Sequence, residues 1–177
     1  MGSYVKRAMQ PNESILYETQ LHWVIYRMGI TITFLGLLFG RFAPMPVKQI
    51  LGDSVAELVA KPISYIAAVL IALGAFELLA SFIRQISTEL VITDQRVIAK
   101  HGFISTTSYE LMMTKVEGAT IEQSIWGRLL GFGTLMVKGT GGGISPIDHV
   151  ADPYRFHSYL MNALHDAHAA DAVRHHD

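Results

Sequence analysis

The sequence contains no cysteine, and this absence excludes disulfide bonds, thiolate metal sites and cysteine nucleophiles. Charge is also scarce, because only 16% of the 177 residues are charged and the formal net charge is -1. A protein that neutralises many phosphates carries a basic excess, so no nucleic-acid partner is expected. Half of the residues are hydrophobic, which is unusual for a wholly water-soluble chain of this length. We therefore expect much of the chain to lie in a membrane.

The N-terminal segment, residues 1–21, is polar and lacks the apolar core of a cleavable signal peptide. Lys6 stands where a myristoylation site has Ser or Thr, so that lipid anchor is not expected either. This segment is predicted to be cytoplasmic.

Two apolar segments, at about 23–43 and 63–83, are each long enough to span a bilayer, because a helix of about 20 residues rises roughly 30 Å. Arg27 and Arg41 near the ends of the first can extend their guanidinium groups into the headgroups. The alternative is a pair of helices buried in a soluble core, but too few other residues remain to cover two helices that are apolar all round. The sequence predicts a transmembrane hairpin over 22–84.

The residues between the two spans, 47–60, have apolar side chains at helical spacing and predict an amphipathic helix on the far membrane surface. Basic residues near the span ends are slightly more frequent on the side of the termini, which places both termini in the cytoplasm. The protein is thus predicted to be a multi-pass membrane protein.

Glu77 is the single charged residue inside the second span, and an ionisable group at that depth is costly unless it is paired or hydrated. Because antiparallel helices bring Arg27 to a similar depth, we predict an intramembrane ion pair between Arg27 and Glu77. A proton or ion pathway and a contact with another subunit remain open as alternatives for Glu77.

From Ile86 onwards, short segments rich in β-branched residues alternate with turn sequences, which indicates an antiparallel sheet. Asp152 and Pro153 then favour the start of a helix. This helix carries an apolar stripe that would cover the sheet. The predicted strands are 88–93, 96–101, 104–111, 116–122, 135–138 and 144–150, a helical turn packs on the core at 123–131, and the stripe consists of Phe156, Leu160, Leu164 and Ala167. The domain is expected over 85–170, followed by a polar tail at 171–177.

The β-rich part resembles the bacterial pleckstrin-homology-like (YdbS-type) family in the stretches TELVITDQRVIAKHGFIS, MTKVEGATIEQSIWGRLLGFGTLMVKGTGGG and ADPYRF. The stretch PNESILYETQLHW ahead of the hairpin is similar to that of membrane-anchored members. The resemblance implies a rolled antiparallel sheet with a C-terminal helix, used for binding proteins or lipids and often oligomeric. The expected fold class is an α+β membrane protein, with an N-terminal two-helix transmembrane hairpin and a pleckstrin-homology-like (PH-like) domain capped by a C-terminal helix.

Residues with catalytic or ligand-binding chemistry do not form a convincing site in the sequence. No catalytic triad, carboxylate pair or nucleotide motif stands out, so neither an enzyme nor a cofactor is predicted. The glycines at 139–143 precede a strand rather than a helix and lack the P-loop lysine, so they predict a hairpin tip. No metal site is predicted, because no carboxylate has ligand spacing to the C-terminal histidines His157, His165, His168, His175 and His176.

The remaining candidates are surface contacts. Lipid headgroups are expected at Arg84, Arg96 and Lys100, and a protein interface at Trp126, Arg128 and Phe132. The sequence therefore predicts a non-catalytic, membrane-anchored interaction module that serves as scaffold or accessory subunit of a membrane protein complex. A homo-oligomeric ring with a pore and an adaptor for anionic lipids are the alternatives. The expected partners are membrane lipids, copies of the same chain and a larger membrane complex.

Overall fold

The computed structural model describes residues 9–43, 49–50, 52–102 and 106–174, and it describes the side chains of these residues except at 53, 56 and 168–174. The chain divides into two compact units. One consists of Trp23–Ile83, and the other combines Met1–His22 with Arg84–Asp177.

The Trp23–Ile83 unit is helical. A 3-10 turn at Trp23–Tyr26 leads into helix α1 (Arg27–Phe42), and helix α2 runs over Asp53–Ser87. By length and composition, both helices can cross a membrane, within the windows Trp23–Phe42 and Glu57–Ser87. Only 17% of each window is buried, whereas the core helix of a soluble protein is mostly buried.

Small residues bring α1 and α2 together. A Cβ atom added to Gly29 would stand 2.8 Å from the side chain of Leu78, and one added to Gly74 would stand 2.7 Å from the backbone nitrogen of Thr33. The Ser81 hydroxyl donates a hydrogen bond of 3.2 Å to the carbonyl of Ile25. Because early residues of α1 meet late residues of α2, the two helices are antiparallel, and their backbones approach closely where glycine removes the side chain.

The predicted helix at 47–60 does not form one separate element in the described residues, because 49 and 50 are helical, Gly52 is not, and the helix that follows continues into the second span. Residues 53–60 form the first turns of α2, which continues through Pro62 to Ser87, while 47, 48 and 51 lie outside the described residues. Pro62 lacks an N–H group, but helix-forming Ala, Glu, Leu and Lys residues precede it, so the loss of one hydrogen bond does not end the helix.

The other unit contains two antiparallel sheets. The first has the strand order β1-β2-β3-β4 and the second β5-β6-β7. Short loops join most neighbouring strands, as the predicted hairpins require. The strands are β1 (Ile15–Thr19), β2 (Glu89–Thr93), β3 (Arg96–His101), β4 (Thr107–Met112), β5 (Val116–Glu122), β6 (Phe132–Gly139) and β7 (Gly142–Ala151). Helix α3 (Ile125–Leu130) joins β5 to β6, and helix α4 (Pro153–Arg174) follows β7.

The N-terminal segment belongs to this unit, which corrects the prediction of a separate segment at 1–21 and a domain that starts at 85. Strand β1 pairs with β2, more than 70 residues further along the chain. The following residues bind the second sheet, because the amide of His22 donates to the carbonyl of His149 at 2.7 Å and the amide of Ala151 donates to the carbonyl of Gln20 at 3.0 Å. The first sheet is thereby connected to the second through residues 20–22.

The core lies between the sheets and α4. The predicted apolar stripe of α4 is confirmed, since Phe156 and Leu160 are fully buried, Leu164 is buried and Ala167 packs against the same cluster. These side chains contact β-strand residues that include Ile92, Leu135 and Val150. The helix continues to Arg174, so residues 171–174 of the predicted tail are helical.

Candidate functional site

A buried carboxylate ties the N-terminal segment to the β2–β3 hairpin. The side chain of Glu13 has no exposed surface, and it forms a two-point ion pair with Arg96. Arg96 donates from Nε to Oε1 at 2.9 Å and from Nη2 to Oε2 at 2.6 Å. This fork geometry matches a guanidinium to a carboxylate and makes the pair strong and directional.

Two further donors complete the shell of Glu13. The Thr93 hydroxyl donates to Oε1 at 2.8 Å, and the backbone amide of Gln10 donates to Oε2 at 2.9 Å. Burial alone raises the pKa of Glu13, but the hydrogen bonds from Arg96, Gln10 and Thr93 outweigh burial and hold the pKa below its ordinary value. The carboxylate is therefore charged in the folded protein and serves to hold the fold.

This cluster changes the interpretation of Arg96, which was predicted to contact lipid headgroups. Its side chain is only 16% exposed, and it also donates to Glu110 at 2.9 Å. The hydrogen bond to Glu13 raises the pKa of Arg96. The guanidinium of Arg96 thus binds two carboxylates of its own chain, which neutralise its charge. We therefore interpret Arg96 as a residue that stabilises the fold.

The other two predicted headgroup contacts are Lys100 and Arg84. Lys100 is half-buried, has a partner of its own and lies four residues along β3, roughly 13 Å away at the rise of a strand. Arg84 is exposed. Arg96 and Lys100 therefore do not form a common pocket for one headgroup.

Among the described residues of the unit with the two sheets, the most exposed large apolar side chains lie on helix α3. Ile125 is 85% exposed, Trp126 68% and Leu129 73%. We call these three residues the α3 patch. The sequence predicted a turn packed on the core, but the buried side of α3 is formed by Gly127, so the large side chains point outwards. Of the predicted interface residues, Trp126 and Arg128 are exposed on this helix.

Phe132, the third predicted interface residue, is buried instead. Its ring stacks between two imidazoles, with centroid distances of 5.5 Å to His22 and 5.8 Å to His149. His149 has a φ of 58°, a left-handed conformation that is uncommon outside glycine. Phe132 therefore joins the end of the N-terminal segment to β6 and β7. The sequence did not predict this contact, because the two histidines are 127 positions apart.

We expect this stack to make the unit with the two sheets less stable in acid. Burial lowers the pKa of His22, the nearby His149 lowers it further, and a hydrogen bond to the Leu130 carbonyl opposes both. A histidine with a lowered pKa favours folding while neutral, so its contribution is complete above the ordinary value of 6.5 and is lost as the pH falls below it.

We expect the unfolding temperature of the full chain in detergent to fall between pH 7.5 and pH 5.5, followed by circular dichroism. In the variant His22→Gln this fall should be smaller, whereas the exposed His165 should be replaceable by Gln without effect on it. An unchanged pH dependence in His22→Gln would show that His22 is not the titrating group.

The predicted ion pair between Arg27 and Glu77 is not formed within this chain, as judged from the described residues, which include both side chains. Both residues are exposed. Arg27 precedes Gly29 by two positions, which is about 200° around a helix, so it lies on the side of α1 opposite the α2 contact. Similar depth along two helices does not by itself bring two side chains together, because their directions around the helix axes decide whether they meet.

No group of three or more His, Asp or Glu residues stands close enough to hold a metal in the part of the chain that the structure describes. His175 and His176 lie outside it, as does the side chain of His168. The glycine-rich stretch forms the β6–β7 turn. Gly141 there has a φ of 79°, a left-handed backbone conformation that glycine adopts without steric cost, so the hairpin turn accounts for this glycine.

Comparison with known proteins identifies the family. A family model described as Bacterial PH domain matches residues 32–175, which is most of the chain. No curated protein and no solved structure matches the sequence. The match agrees with the antiparallel sheets and the C-terminal capping helix described above. The chain belongs to the bacterial PH domain family.

Proposed function

We propose that this chain is a non-catalytic, membrane-anchored interaction module that acts as scaffold or accessory subunit of a membrane protein complex. In this proposal α1 and α2 span the bacterial inner membrane, and the PH-like unit and both termini lie in the cytoplasm. The PH-like fold supports binding as the general role of the module. The specific role rests on the position of Glu77.

Glu77 is exposed on a helix whose neighbouring side chains are apolar and exposed as well, including Leu73 and Phe76. It lies ten residues before the end of α2, roughly 15 Å along the helix axis. Within the described residues, the side chain of Glu77 has no hydrogen bond or ion pair. In a bilayer this surface of α2 would face lipid.

A charged side chain inside the hydrocarbon core is costly, by about 2.5–3.5 kcal/mol at the centre and less towards the headgroups, so such residues pair with polar groups or face water. Since Arg27 does not supply that group, the partner of Glu77 comes from another polypeptide in this proposal. A foreign membrane subunit meets the requirement with one polar residue at matching depth. This requirement makes an accessory subunit the function that the helix surface supports best.

The test is the composition of the particle purified from native membranes in mild detergent, by mass spectrometry and light scattering. We expect the wild-type chain of 19.6 kDa to carry a stoichiometric foreign membrane protein. Glu77→Gln should weaken the association constant about tenfold, which corresponds to roughly 1.4 kcal/mol, and so lower the amount of partner recovered.

Glu57→Gln is the matched control, because Glu57 is an exposed glutamate near the start of the same helix. It should leave the particle unchanged. A wild-type particle that contains a single chain and no other protein would contradict the proposed role.

The same exposed carboxylate also supports a second candidate, a homo-oligomeric ring in which Glu77 faces a water-filled pore. Particles that are multiples of one chain would favour it. Liposomes containing the protein should then pass ions, and Glu77→Gln should change that flux. Absence of flux with the wild-type chain would rule out the pore. An adaptor for anionic lipids, the third candidate, is weakened by the engagement of Arg96 with Glu13 and Glu110.

A further inference from the structure

We propose that α3 is a second membrane contact of this protein. In this proposal, which rests on the membrane anchoring proposed above, the α3 patch inserts into the boundary between headgroups and acyl chains. Arg128, on the same helix, meets the lipid phosphates. The PH-like unit would then be held against the bilayer by its own surface as well as by the chain connection.

The patch is held in a fixed, outward-facing position. Ser124 caps the helix by accepting a hydrogen bond of 3.1 Å from the amide of Gly127. The side-chain amide of Gln123 donates to the carbonyl of Phe132 at 2.8 Å, which fastens the loop on the other side. Gly131 ends the helix with a φ of 79° and donates to the Gly127 carbonyl at 2.8 Å. The exposure of the patch is therefore a property of the folded unit.

The patch lies at the end of the sheets where the chain leaves for the apolar helices. His22, the last residue before Trp23, hydrogen-bonds to the carbonyl of Leu130 at the end of α3. The chain returns at the same end, because the side-chain amide of Gln85 donates to the carbonyl of Leu21 at 3.0 Å. If the apolar helices enter a bilayer, α3 is tethered within a few residues of its surface.

The opposite end of the sheets, away from the chain exit, has less exposed apolar surface among the described residues. Strand β6 begins beside α3 at Phe132 and runs away from it to Gly139, over seven residue steps or roughly 23 Å. Met112, at the end of β4, pairs with Arg96 beside the Asp94–Gln95 turn. This residue is also exposed and apolar, at 62%, but it stands alone and lies away from the chain exit.

The composition of α3 fits the bilayer interface in particular. Tryptophan concentrates at the headgroup level of membranes, and an interfacial helix buries its apolar side chains roughly 5–10 Å into the boundary. Ile125 and Leu129 flank Trp126 on the exposed side. Arg128 lines a surface concavity together with Gln123, Tyr154 and Asp152, whose carboxylate is paired with Arg155 at 3.1 Å. A cation beside apolar anchors can reach a phosphate oxygen while its neighbours contact acyl chains.

The two tryptophans of the chain make a direct test possible, because Trp23 reports on the hairpin and Trp126 on α3. The full chain is reconstituted in phosphatidylcholine and phosphatidylglycerol vesicles, with lipids brominated at a shallow acyl position as quenchers. Trp23→Phe leaves Trp126 as the reporter, and Trp126→Phe leaves Trp23. A third chain, Trp23→Phe with Trp126→Phe and Met112→Trp, places the reporter at the far end of the sheets.

We expect brominated lipid to quench Trp126 at least about twofold more strongly than the reporter at position 112, as required for insertion at the interface. Ile125→Asp together with Leu129→Asp should remove that excess quenching. The same two substitutions should leave quenching of Trp23 unchanged, which would show that the altered chain is still inserted.

Each contrary result has a distinct meaning. Quenching of Trp23 without quenching of Trp126 would overturn the α3 contact and leave the anchored hairpin intact. If Trp126 were then shielded from iodide in native membranes, the patch would be a protein interface, which also overturns the proposal. Quenching of Trp126 without quenching of Trp23 would support the α3 contact and contradict the proposed hairpin insertion.

Discussion

Glu13→Ala is expected to lower the free energy of unfolding of the full chain by about 3–5 kcal/mol, because it leaves the buried guanidinium of Arg96 without its main partner. The side chain of Glu13 has no exposed surface, and the four hydrogen bonds that it accepts come from Arg96, Thr93 and Gln10. Removal of the carboxylate therefore deletes these side-chain contacts between the N-terminal segment and the β2–β3 hairpin, while the pairing of β1 with β2 remains. Urea denaturation in mild detergent, followed by the circular dichroism of the sheets, measures the loss.

The matched control for Glu13 is Glu110, which binds the same guanidinium but is 36% exposed. Glu110→Ala should cost less than about 1 kcal/mol, as exposed ion pairs usually do. The lowered pKa of Glu13 adds a second check, since a carboxylate of this kind stabilises the fold above its ordinary pKa of 4.5 and loses that effect as the pH falls below it. Equal losses for Glu13→Ala and Glu110→Ala would show that the buried pair is not the source of stability.

Gly74→Leu is expected to force the two apolar helices apart. A Cβ atom added at this position would stand 2.7 Å from the backbone nitrogen of Thr33. That nitrogen can move away only if the whole helix α1 shifts. Overpacking of a close contact costs about 1–3 kcal/mol, or roughly a 5- to 150-fold change in the equilibrium between packed and separated helices.

A pair of engineered cysteines reports on this equilibrium in a chain that has none of its own. The Cβ position at Gly40 lies 3.0 Å from the Cβ of Ala67, close enough for a disulfide after a small adjustment. Oxidation of Gly40→Cys with Ala67→Cys should be efficient in membranes and at least about fivefold less efficient when Gly74→Leu is added. Ala72→Leu, on the exposed side of the same helix, should leave the yield unchanged, and equal yields in both variants would disprove the close contact.

Several elements were predictable from local sequence because their signals are local. The hairpin around Asp94, the strands at 96–101 and 116–122, and the apolar stripe of α4 each depend on turn residues or on the spacing of neighbouring side chains. The two apolar helices follow from composition in the same way. Local pattern also supported the bacterial PH resemblance, which the family match over residues 32–175 confirms.

The exposure and the partners of the candidate surface residues could not be predicted from local sequence pattern. Trp126 and Phe132 are apolar residues only six positions apart, yet the first is exposed and the second is buried between His22 and His149. Arg96 and Lys100 both suggested headgroup contacts, but Arg96 is engaged by Glu13 from 83 residues earlier in the chain. Side-chain direction and distant partners decide these cases, and neither is encoded in the spacing of neighbouring residues.

The sequence alone determined that this chain has two apolar helices, an antiparallel β-rich domain and a C-terminal helix that closes its core. It did so because hydrophobic burial and turn chemistry act over a few residues and leave a periodic pattern. The tertiary structure decided that residues before the hairpin complete the PH-like unit, that Arg27 and Glu77 do not pair, and that α3 presents its apolar side chains outwards. These outcomes depend on which strands and helix faces meet after residues far apart in the chain have come together.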